Sequence, residues 1–471
     1  MNLLGILSSA TSSLQAQQTV VAVDGNNVEN ASTPGYAQQQ VNLVEGTPAY
    51  IVGTGAIGSG VQVASITQNR NPFVEAQLPS AFSSASSSSA EAQALQGLTA
   101  LDPSTQGNLA SALASFYSSM QALTQDAGST QLRQTAVASA QALATSFQTT
   151  SQSIASARSG LDTQIQGQVT QVNQLAAQVA KLNGQIQAAQ ASGAQPNSLL
   201  DERQAALDQL AQIAGATWVS DQSGNVSVML GGGLALVTGT LAGSLSTVAD
   251  ASNGGHLAVR ISLPGSSSAS ALAPGAVGGS IGGEIAARDQ VLGGAAQRLD
   301  QLAYDFANAV NAVHETGYGL DGATGRPLFD VGATASGAAS SIAVDAAVAN
   351  DPSALAAAST AAGVPGDATA LQAIVNTEQQ GLTGGLTAAG TVADITTQYG
   401  TAASQAQAAS TQDASVLSQL QQLRASASGV SVDEQLVGLQ QAQRTYQAIS
   451  QVIQATTAML DALLSSISAA G

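Results

Sequence analysis

Glycine and serine form the pattern that comes closest to a catalytic motif. Residues 278–282 follow G-x-S-x-G, in which Ser280 would be the nucleophile of a hydrolase. Such a nucleophile needs a histidine base later in the chain, and the only later histidine, His314, falls within a helical pattern. Because Gly and Ser are frequent throughout this sequence, a chance match is expected. We therefore predict a turn at 278–282 and no catalytic residue, with a secreted serine hydrolase using Ser280 as the alternative.

Patterns for cofactors and metals are equally incomplete. Residues 53–58 match G-x-G-x-x-G but are followed by a strand-like run at 61–66, where a dinucleotide site needs a helix. Lys181 has no glycine immediately before it, which excludes a Walker A loop. His314 lacks the second histidine of a zinc helix, and residues 321–326 lack the ligand spacing of a calcium loop. No cofactor and no metal site is predicted.

The composition narrows the class of protein further. Only 8% of the 471 residues are charged, with 29 acids against 11 bases and a net charge of −18, whereas ordinary chains carry about 25% charged residues. Nucleic-acid binding requires clustered bases, which are missing, and no apolar run is long enough for membrane insertion. The first base is Arg70, so a cleavable signal peptide is not expected. A chain rich in Ala and poor in aromatics favours long, closely packed helices.

Both ends of the chain carry heptad stripes of apolar residues, which predict helices that pair. The stripes contain Leu3, Leu7, Ala10, Leu14, Val21 and Val28 at one end and Val432, Leu436, Leu439, Tyr446, Ile453, Leu460, Leu464 and Ile467 at the other. A capping box, Ser431 to Glu434, starts the second helix. Because a lone amphipathic helix is marginal in water, we expect the two ends to cover each other or copies on neighbouring chains. Packing of each end on its own domain core is the alternative.

The central part of the chain alternates between helical and strand-like periodicity. Helices are predicted at 133–192, 198–214, 283–315 and 391–426, and a β-rich insert at about 215–265. The predicted fold class is mainly α: an elongated long-helix bundle with small β-rich inserts, plus a coiled-coil-like pair of N- and C-terminal helices. The predicted domains are a terminal helical domain, residues 1–70 with 425–471, and a helical-bundle domain, residues 71–424.

Four stretches of the sequence together are similar to one known family. Residues 26–36, Asn-Asn-Val-Glu-Asn-Ala-Ser-Thr-Pro-Gly-Tyr, resemble a motif shared by rod, hook and hook-associated proteins of the bacterial flagellum. Residues 196–203, 282–289 and 429–448 resemble, in order, successive helix starts of the FlgK family of hook-associated proteins. Together they extend the resemblance over nearly the whole chain.

The resemblance implies a non-enzymatic structural adaptor that assembles on the hook tip and supports attachment of the filament. Another rod or hook axial protein is the alternative, although those lack the long rod at 133–192. The implied partners are the hook protein, the second hook–filament junction protein, further copies of the chain, the flagellar export apparatus and an export chaperone. The implied location is the extracellular flagellum. Longer family members carry an outer β domain that we expect to be absent near 331–340.

The same resemblance assigns roles to two groups of residues. The assembly seam would consist of Leu3, Leu7, Leu14, Leu436, Leu439, Tyr446, Ile453, Leu460 and Leu464. The turn out of the first helix would be set by Asn27, Asn30, Thr33, Pro34, Gly35 and Tyr36. For each of these residues, packing within the chain is the alternative to contact between subunits.

Overall fold

Long helices dominate the computed structural model, which describes residues 3–33, 35–47, 49–51, 55–97, 108–221, 224–273 and 275–470. The helices are α1 (Leu3–Glu29), α2 (Pro72–Leu95), α3 (Leu109–Leu123), α4 (Thr130–Ala191), α5 (Asn197–Ala214), α6 (Gly279–Ala286), α7 (Gly293–His314), α8 (Ala338–Ser341), α9 (Ala346–Asn350), α10 (Thr369–Asn376), α11 (Ala388–Ser428) and α12 (Val432–Ala470). The predicted mainly α fold is confirmed.

The strands form small antiparallel sheets. They are β1 (Gln39–Glu45), β2 (Ala49–Ile51), β3 (Gly55–Ile57), β4 (Val61–Gln68), β5 (Thr217–Ser220), β6 (Val226–Leu230), β7 (Leu234–Thr238), β8 (Leu241–Ala242), β9 (Ser244–Ala249), β10 (Leu257–Ser262), β11 (Ala269–Ala271), β12 (Phe329–Asp330) and β13 (Ala343–Val344). β1 pairs with β4, β2 with β3 and β12 with β13, while the insert contains sheets ordered β5-β6-β7-β8 and β11-β10-β9. The insert therefore folds as two short sheets.

Helix α4 is the rod on which the bundle is built. It runs for 62 residues, which corresponds to a length of about 93 Å. Ser129 caps its start by accepting a hydrogen bond from the Leu132 N–H. The helix continues through Gly160 and Gly167, each of which faces open space, because its buried heptad positions outweigh the propensity cost of about 1 kcal/mol per glycine.

Two hydrophobic cores follow each other along α4. The first half of the rod, up to Leu161, packs with α3, α7 and the residues around β12, and its centre is a cluster of aromatic rings. The second half, from Ile165, packs with α5, α6 and the β insert. Helices α6 and α7 are joined without a break by a π-helical segment, Ala287–Leu292, so one continuous helix contributes to both cores.

The two ends of the chain come together outside these cores. Helix α12 lies along α1, which also contacts the β1–β4 ribbon, and α11 packs on α2. The predicted pair of N- and C-terminal helices is therefore present. Within the described residues, no helix combines the length and the apolar character needed to cross a membrane.

Candidate assembly surface at the paired terminal helices

Asn27, in the last turns of α1, links three segments of the chain. Its side chain is fully buried, and its Nδ2 donates to the Gln39 carbonyl oxygen at 2.8 Å and to Gln435 Oε1 at 2.9 Å. Its Oδ1 accepts from the Gln39 N–H at 2.9 Å and from the Tyr36 hydroxyl at 2.8 Å. The amide thus uses both donors and both acceptors, and it ties α1 to β1 and to α12.

The turn after α1 is held by side chains that the sequence motif contains. Asn30 donates through Nδ2 to a carbonyl oxygen one turn earlier, at 3.0 Å, and its Oδ1 accepts from the Thr33 hydroxyl at 3.2 Å. Gly35 has a φ of 81°, a conformation that favours glycine. Pro34 lies outside the described residues. The turn motif therefore positions the first strand relative to the helix pair.

A chain of ion pairs connects this turn to the bundle. Arg70 donates to the Gly35 carbonyl oxygen and pairs with Asp201, and it lies 3.6 Å from Glu75. Glu75 also pairs with Arg424 at 2.9 Å, and Arg424 pairs with Asp208 at 2.8 Å. Burial raises the pKa of Asp201, although the Arg70 charge opposes the shift. These partly buried pairs join α2, α5 and α11 beneath the terminal helices.

The contact between α1 and α12 is built from small and polar residues. The positions of α12 that are most deeply buried are Gln435, Ala442 and Thr456, which share one heptad register. A Cβ atom at Gly438 would lie 3.0 Å from Asp24 Oδ2, so glycine allows the two helices to approach closely here. Burial raises the pKa of Asp24.

The predicted seam residues divide into two groups. Those that are partly buried are Leu3, Leu7, Leu14, Leu439, Ile453 and Leu460, and those that are exposed are Leu436, Tyr446 and Leu464. The register of the deepest contact is therefore shifted by one position from the predicted Leu436 to Gln435. A search for apolar heptads misses this register because Gln435 and Thr456 are polar.

Helix α12 also has a second apolar stripe, the outer stripe, that the described part of the chain leaves uncovered. Its members follow the spacing 4-3-4-3 and are exposed: Ala448, Val452, Ala455, Met459 and Ala462. Val452 is 48% exposed and Met459 is 60% exposed. An exposed stripe with heptad spacing, beside a seam that is already occupied, is typical of a helix that packs against more than one neighbour.

Ser280 is not paired with a base. Its hydroxyl donates to Gln168 Oε1 at 2.8 Å, whereas His314 is buried, with Nδ1 at 2.7 Å from the Arg326 carbonyl oxygen and Nε2 accepting from the Ala356 N–H. The predicted turn at 278–282 is wrong, because Gly278 has an extended backbone and α6 begins at Gly279 and contains the serine. The serine and the histidine therefore take part in separate structural contacts.

The structure also bears on the glycine-rich pattern at 53–58 and on metal binding. Gly53 and Thr54 of the glycine-rich pattern lie outside the described residues, and β3 leads into β4 instead of a helix. Within the described ranges, no group of three His, Cys, Asp or Glu side chains is arranged to hold a metal ion.

One polar cluster was not predicted from the sequence. His256 Nδ1 lies 2.6 Å from Asp162 Oδ2, and Arg288 pairs with both Asp162 and Asp289. Burial acts to raise the pKa of Asp162, but hydrogen bonds from His256, the Leu257 N–H and Arg288 hold it below its usual value. The cluster fastens the β insert to α4 and to the π-helical segment. Its members are far apart in sequence, so no local pattern indicated it.

Comparisons with known proteins agree on one family. The profile of the flagellar hook-associated protein FlgK helical domain matches residues 95–329, about half of the chain. The chain belongs to the FlgK family. The profile of the C-terminal region of the flagellar basal body rod FlgEFG proteins matches residues 421–466, which lie in α11 and α12. The second match falls on the helix whose outer stripe is uncovered.

Individual FlgK relatives support the assignment over different lengths. Flagellar hook-associated protein 1 of Salmonella typhimurium is 29% identical over 329 residues, covering 69% of this chain and 59% of the relative. The chain thus spans about three fifths of that relative. The Bacillus subtilis protein of the same name is 29% identical over 512 residues, covering 99% of this chain and 98% of the relative. The structure of the flagellar hook junction protein FlgK from Burkholderia pseudomallei is 35% identical, with a TM-score of 0.50 over 54% of this chain and 46% of that one.

Proposed function

We propose that this FlgK-family chain is a structural adaptor at the junction between the flagellar hook and the filament. It would act without catalysis, by assembling with copies of itself on the tip of the hook and supporting attachment of the filament. The observation that carries the proposal is the two-sided character of α12: one heptad register is covered by α1, and the second stripe, with Val452 and Met459, is exposed.

The energetics favour assembly through this stripe. Each large apolar side chain that becomes covered contributes about 1.5–3 kcal/mol, so a few such residues per subunit stabilise a ring or helix of subunits. The seam residues that are already partly buried would keep α1 and α12 paired while the outer stripe meets a neighbour. In this proposal Asn27 and the residues of the turn set the angle at which the helix pair leaves the bundle.

The remaining partners and the location belong to the same proposal. The hook protein and the second junction protein would contact the assembled subunits, and the export apparatus with a chaperone would deliver the chain to the outside of the cell. The domain division follows: residues 1–70 with 425–471 would form the axial part, and residues 71–424 the outer bundle. The outer β domain of longer members would be absent near 331–340, where the chain makes only the short β12–β13 connection with α8.

Complementation of a deletion strain tests the proposal. A strain without the gene should make hooks without filaments and should shed flagellin into the medium, and the wild-type gene should restore filaments. Val452→Asp with Met459→Asp places two charges on the outer stripe, where both side chains are exposed. The double variant should fold with the wild-type circular dichroism spectrum and fail to restore filaments.

Two further variants separate the outer stripe from the inner seam. Ile453→Asp with Leu460→Asp, on the side that contacts α1, should abolish filaments and also loosen the helix pair. Gln447→Asp with Gln454→Asp adds the same charge at exposed polar positions of α12 and should support normal filaments. Normal filaments with the Val452 and Met459 variant would refute the role of the stripe, and normal filaments in the deletion strain would refute the function.

A further inference from the structure

The terminal unit, which consists of α1, α12 and the β1–β4 ribbon, meets the bundle at a narrow joint. The elements of the unit pack on one another, whereas the members of the three apolar clusters of the bundle all lie between residues 74 and 420. The chain passes between the two parts at 69–71 and at 429–431, both outside helices and strands. Because no apolar cluster spans the joint in the described part of the chain, its polar contacts set the orientation of the unit.

The two crossings of the chain meet at Gln38. The Gln38 N–H donates to the Ser428 carbonyl oxygen at 2.9 Å, and the Gln38 carbonyl oxygen accepts from the Asn69 N–H at 2.9 Å. Gly429 follows directly, and a Cβ atom there would clash with the Ala425 carbonyl oxygen. Two short crossings that meet in this way form a pivot, because a few loop residues can absorb the φ and ψ changes of a domain rotation.

Asn197, the first residue of α5, connects the bundle to both strands of the ribbon. The residue is 8% exposed, and its Nδ2 donates to the Ile66 carbonyl oxygen at 3.1 Å and to Gln39 Oε1 at 3.3 Å. Its own carbonyl oxygen accepts from Gln68 Nε2 at 3.0 Å. An asparagine at the start of a helix commonly caps that helix, whereas here the donor side of the amide is directed to the ribbon.

Arg70 makes the second connection to α5. Its Nε donates to Gln68 Oε1 at 3.2 Å, and its guanidinium group donates to the Gly35 carbonyl oxygen at 3.3 Å and pairs with Asp201. Asp201 also accepts a hydrogen bond from the Ala37 N–H. The turn after α1 is therefore fastened to the same helix that carries Asn197.

We infer that Asn197 and Arg70 form a latch that holds the terminal unit in one orientation on the bundle. When both contacts are removed, the unit swings about 69–71 and 429–431 while the unit and the bundle stay folded. The latch acts in series with Asn27, which ties the ribbon to α1 and α12 inside the unit. The inference concerns orientation alone, so it stands whether or not the chain acts at the hook–filament junction.

Spin labels can measure this orientation because the chain contains no cysteine and labels attach only at introduced positions. Gln187→Cys on α4 with Gln447→Cys on α12 places one label on each side of the joint. Gln15→Cys on α1 with Gln454→Cys on α12 places both labels inside the terminal unit. All four residues are exposed. Double electron–electron resonance on the full-length chain, diluted with unlabelled chain, gives the distribution of distances for each pair.

Asn197→Ala with Arg70→Gln opens the latch. Across the joint, we expect a distance distribution about twice as wide as with the latch intact, or wider, and each single substitution should broaden it less. Inside the terminal unit, the distribution should keep its width. Thermal denaturation followed by circular dichroism checks that the variant folds.

The control variant removes the same two types of side chain within the bundle. Asn173 of α4 exchanges two hydrogen bonds with the Leu245 backbone, at 2.9 and 2.7 Å, and Arg298 pairs with Asp394 at 2.9 Å. Asn173→Ala with Arg298→Gln should leave the width of the distribution across the joint unchanged.

Four outcomes would overturn the inference. An unchanged width across the joint in the latch variant would show that other contacts hold the unit, and equal broadening in the control variant would show that the effect is not specific to the joint. Equal broadening inside the terminal unit would mean that the unit itself comes apart. A distribution that is already as broad with the latch intact would mean that the two contacts do not fix the orientation.

Discussion

The bundle and the terminal helix pair differ in how completely they bury their apolar side chains. In the bundle, Phe306 lies 5.5 Å from Phe116 and 5.3 Å from Phe329 between ring centroids, and all three residues are essentially inaccessible to water. In α12, by contrast, Val437 and Met459 are mostly exposed. The comparison teaches that the bundle completes its own core within one chain, whereas the terminal pair leaves large apolar side chains exposed in the described part of the chain.

The largest expected effect concerns the centre of the bundle. Phe306→Ala removes a ring that four other aromatic rings contact, and it should lower the free energy of unfolding by about 3–5 kcal/mol. Phe73→Ala is the matched control, since Phe73 is 75% exposed, and it should change stability by less than about 0.5 kcal/mol. Urea denaturation followed by circular dichroism measures both. Equal effects would contradict the self-contained core.

A smaller effect is expected where the terminal helices join. Asn27→Ala removes the hydrogen bonds to Gln39, Tyr36 and Gln435 and should lower the local free energy of opening by about 1–3 kcal/mol. Hydrogen exchange of amides in the first turns of α12 reports this opening. Asn26→Ala, at an exposed position that accepts one bond from Tyr36, should leave exchange nearly unchanged. Faster exchange throughout the bundle would show that the two regions are not separate.

A third effect, which depends on pH, tests the comparison from the side of the bundle, where one buried carboxylate oxygen of Glu284 has no hydrogen-bond partner. Burial raises the pKa of Glu284 to about 7 in the folded state, whereas in the unfolded chain the carboxyl group has its ordinary pKa of 4.5. Stability should therefore fall as pH rises from about 4.5 to 7, with a slope of at most about 1.4 kcal/mol per pH unit.

Glu284→Gln should remove this contribution to the slope, since the amide does not titrate. Urea denaturation at intervals between pH 5 and pH 8 measures the difference between the two proteins. The exposed Glu202→Gln is the control and should keep the wild-type slope. A wild-type slope that persists in Glu284→Gln would assign the pH dependence to other groups.

Periodicity predicted the long helices well because their burial follows a simple repeat. The predicted rod at 133–192 and the observed α4 differ by a few residues, and α5 begins one residue before the predicted 198. The pairing of the chain ends followed from their two apolar stripes. These features depend on local spacing, which the sequence shows directly.

Features that depend on long-range contacts were not predictable in the same way. The most deeply buried heptad register of α12 includes Gln435, a polar residue. Its hydrogen-bond partner Asn27 is 408 positions away in the sequence. The Asp162–His256 pair and the exposure of Tyr446 also depend on how elements meet in space. The glycines near 278 predicted a turn, but tight contact between α2 and α6 places most of that motif in a helix.

The π-helical segment between α6 and α7 sets the rotational phase of everything that follows it. A π turn inserts one residue into an α-helix without adding a turn, so downstream side chains are rotated by about 100° relative to an uninterrupted helix. Ile281 and Ile285 before the segment face one core, and Leu299 and Phe306 after it face the other. A deletion of one residue inside the segment would therefore convert it to a regular α-helix and keep the aromatic side of α7 against its neighbours, whereas a deletion just after the segment would turn that side away.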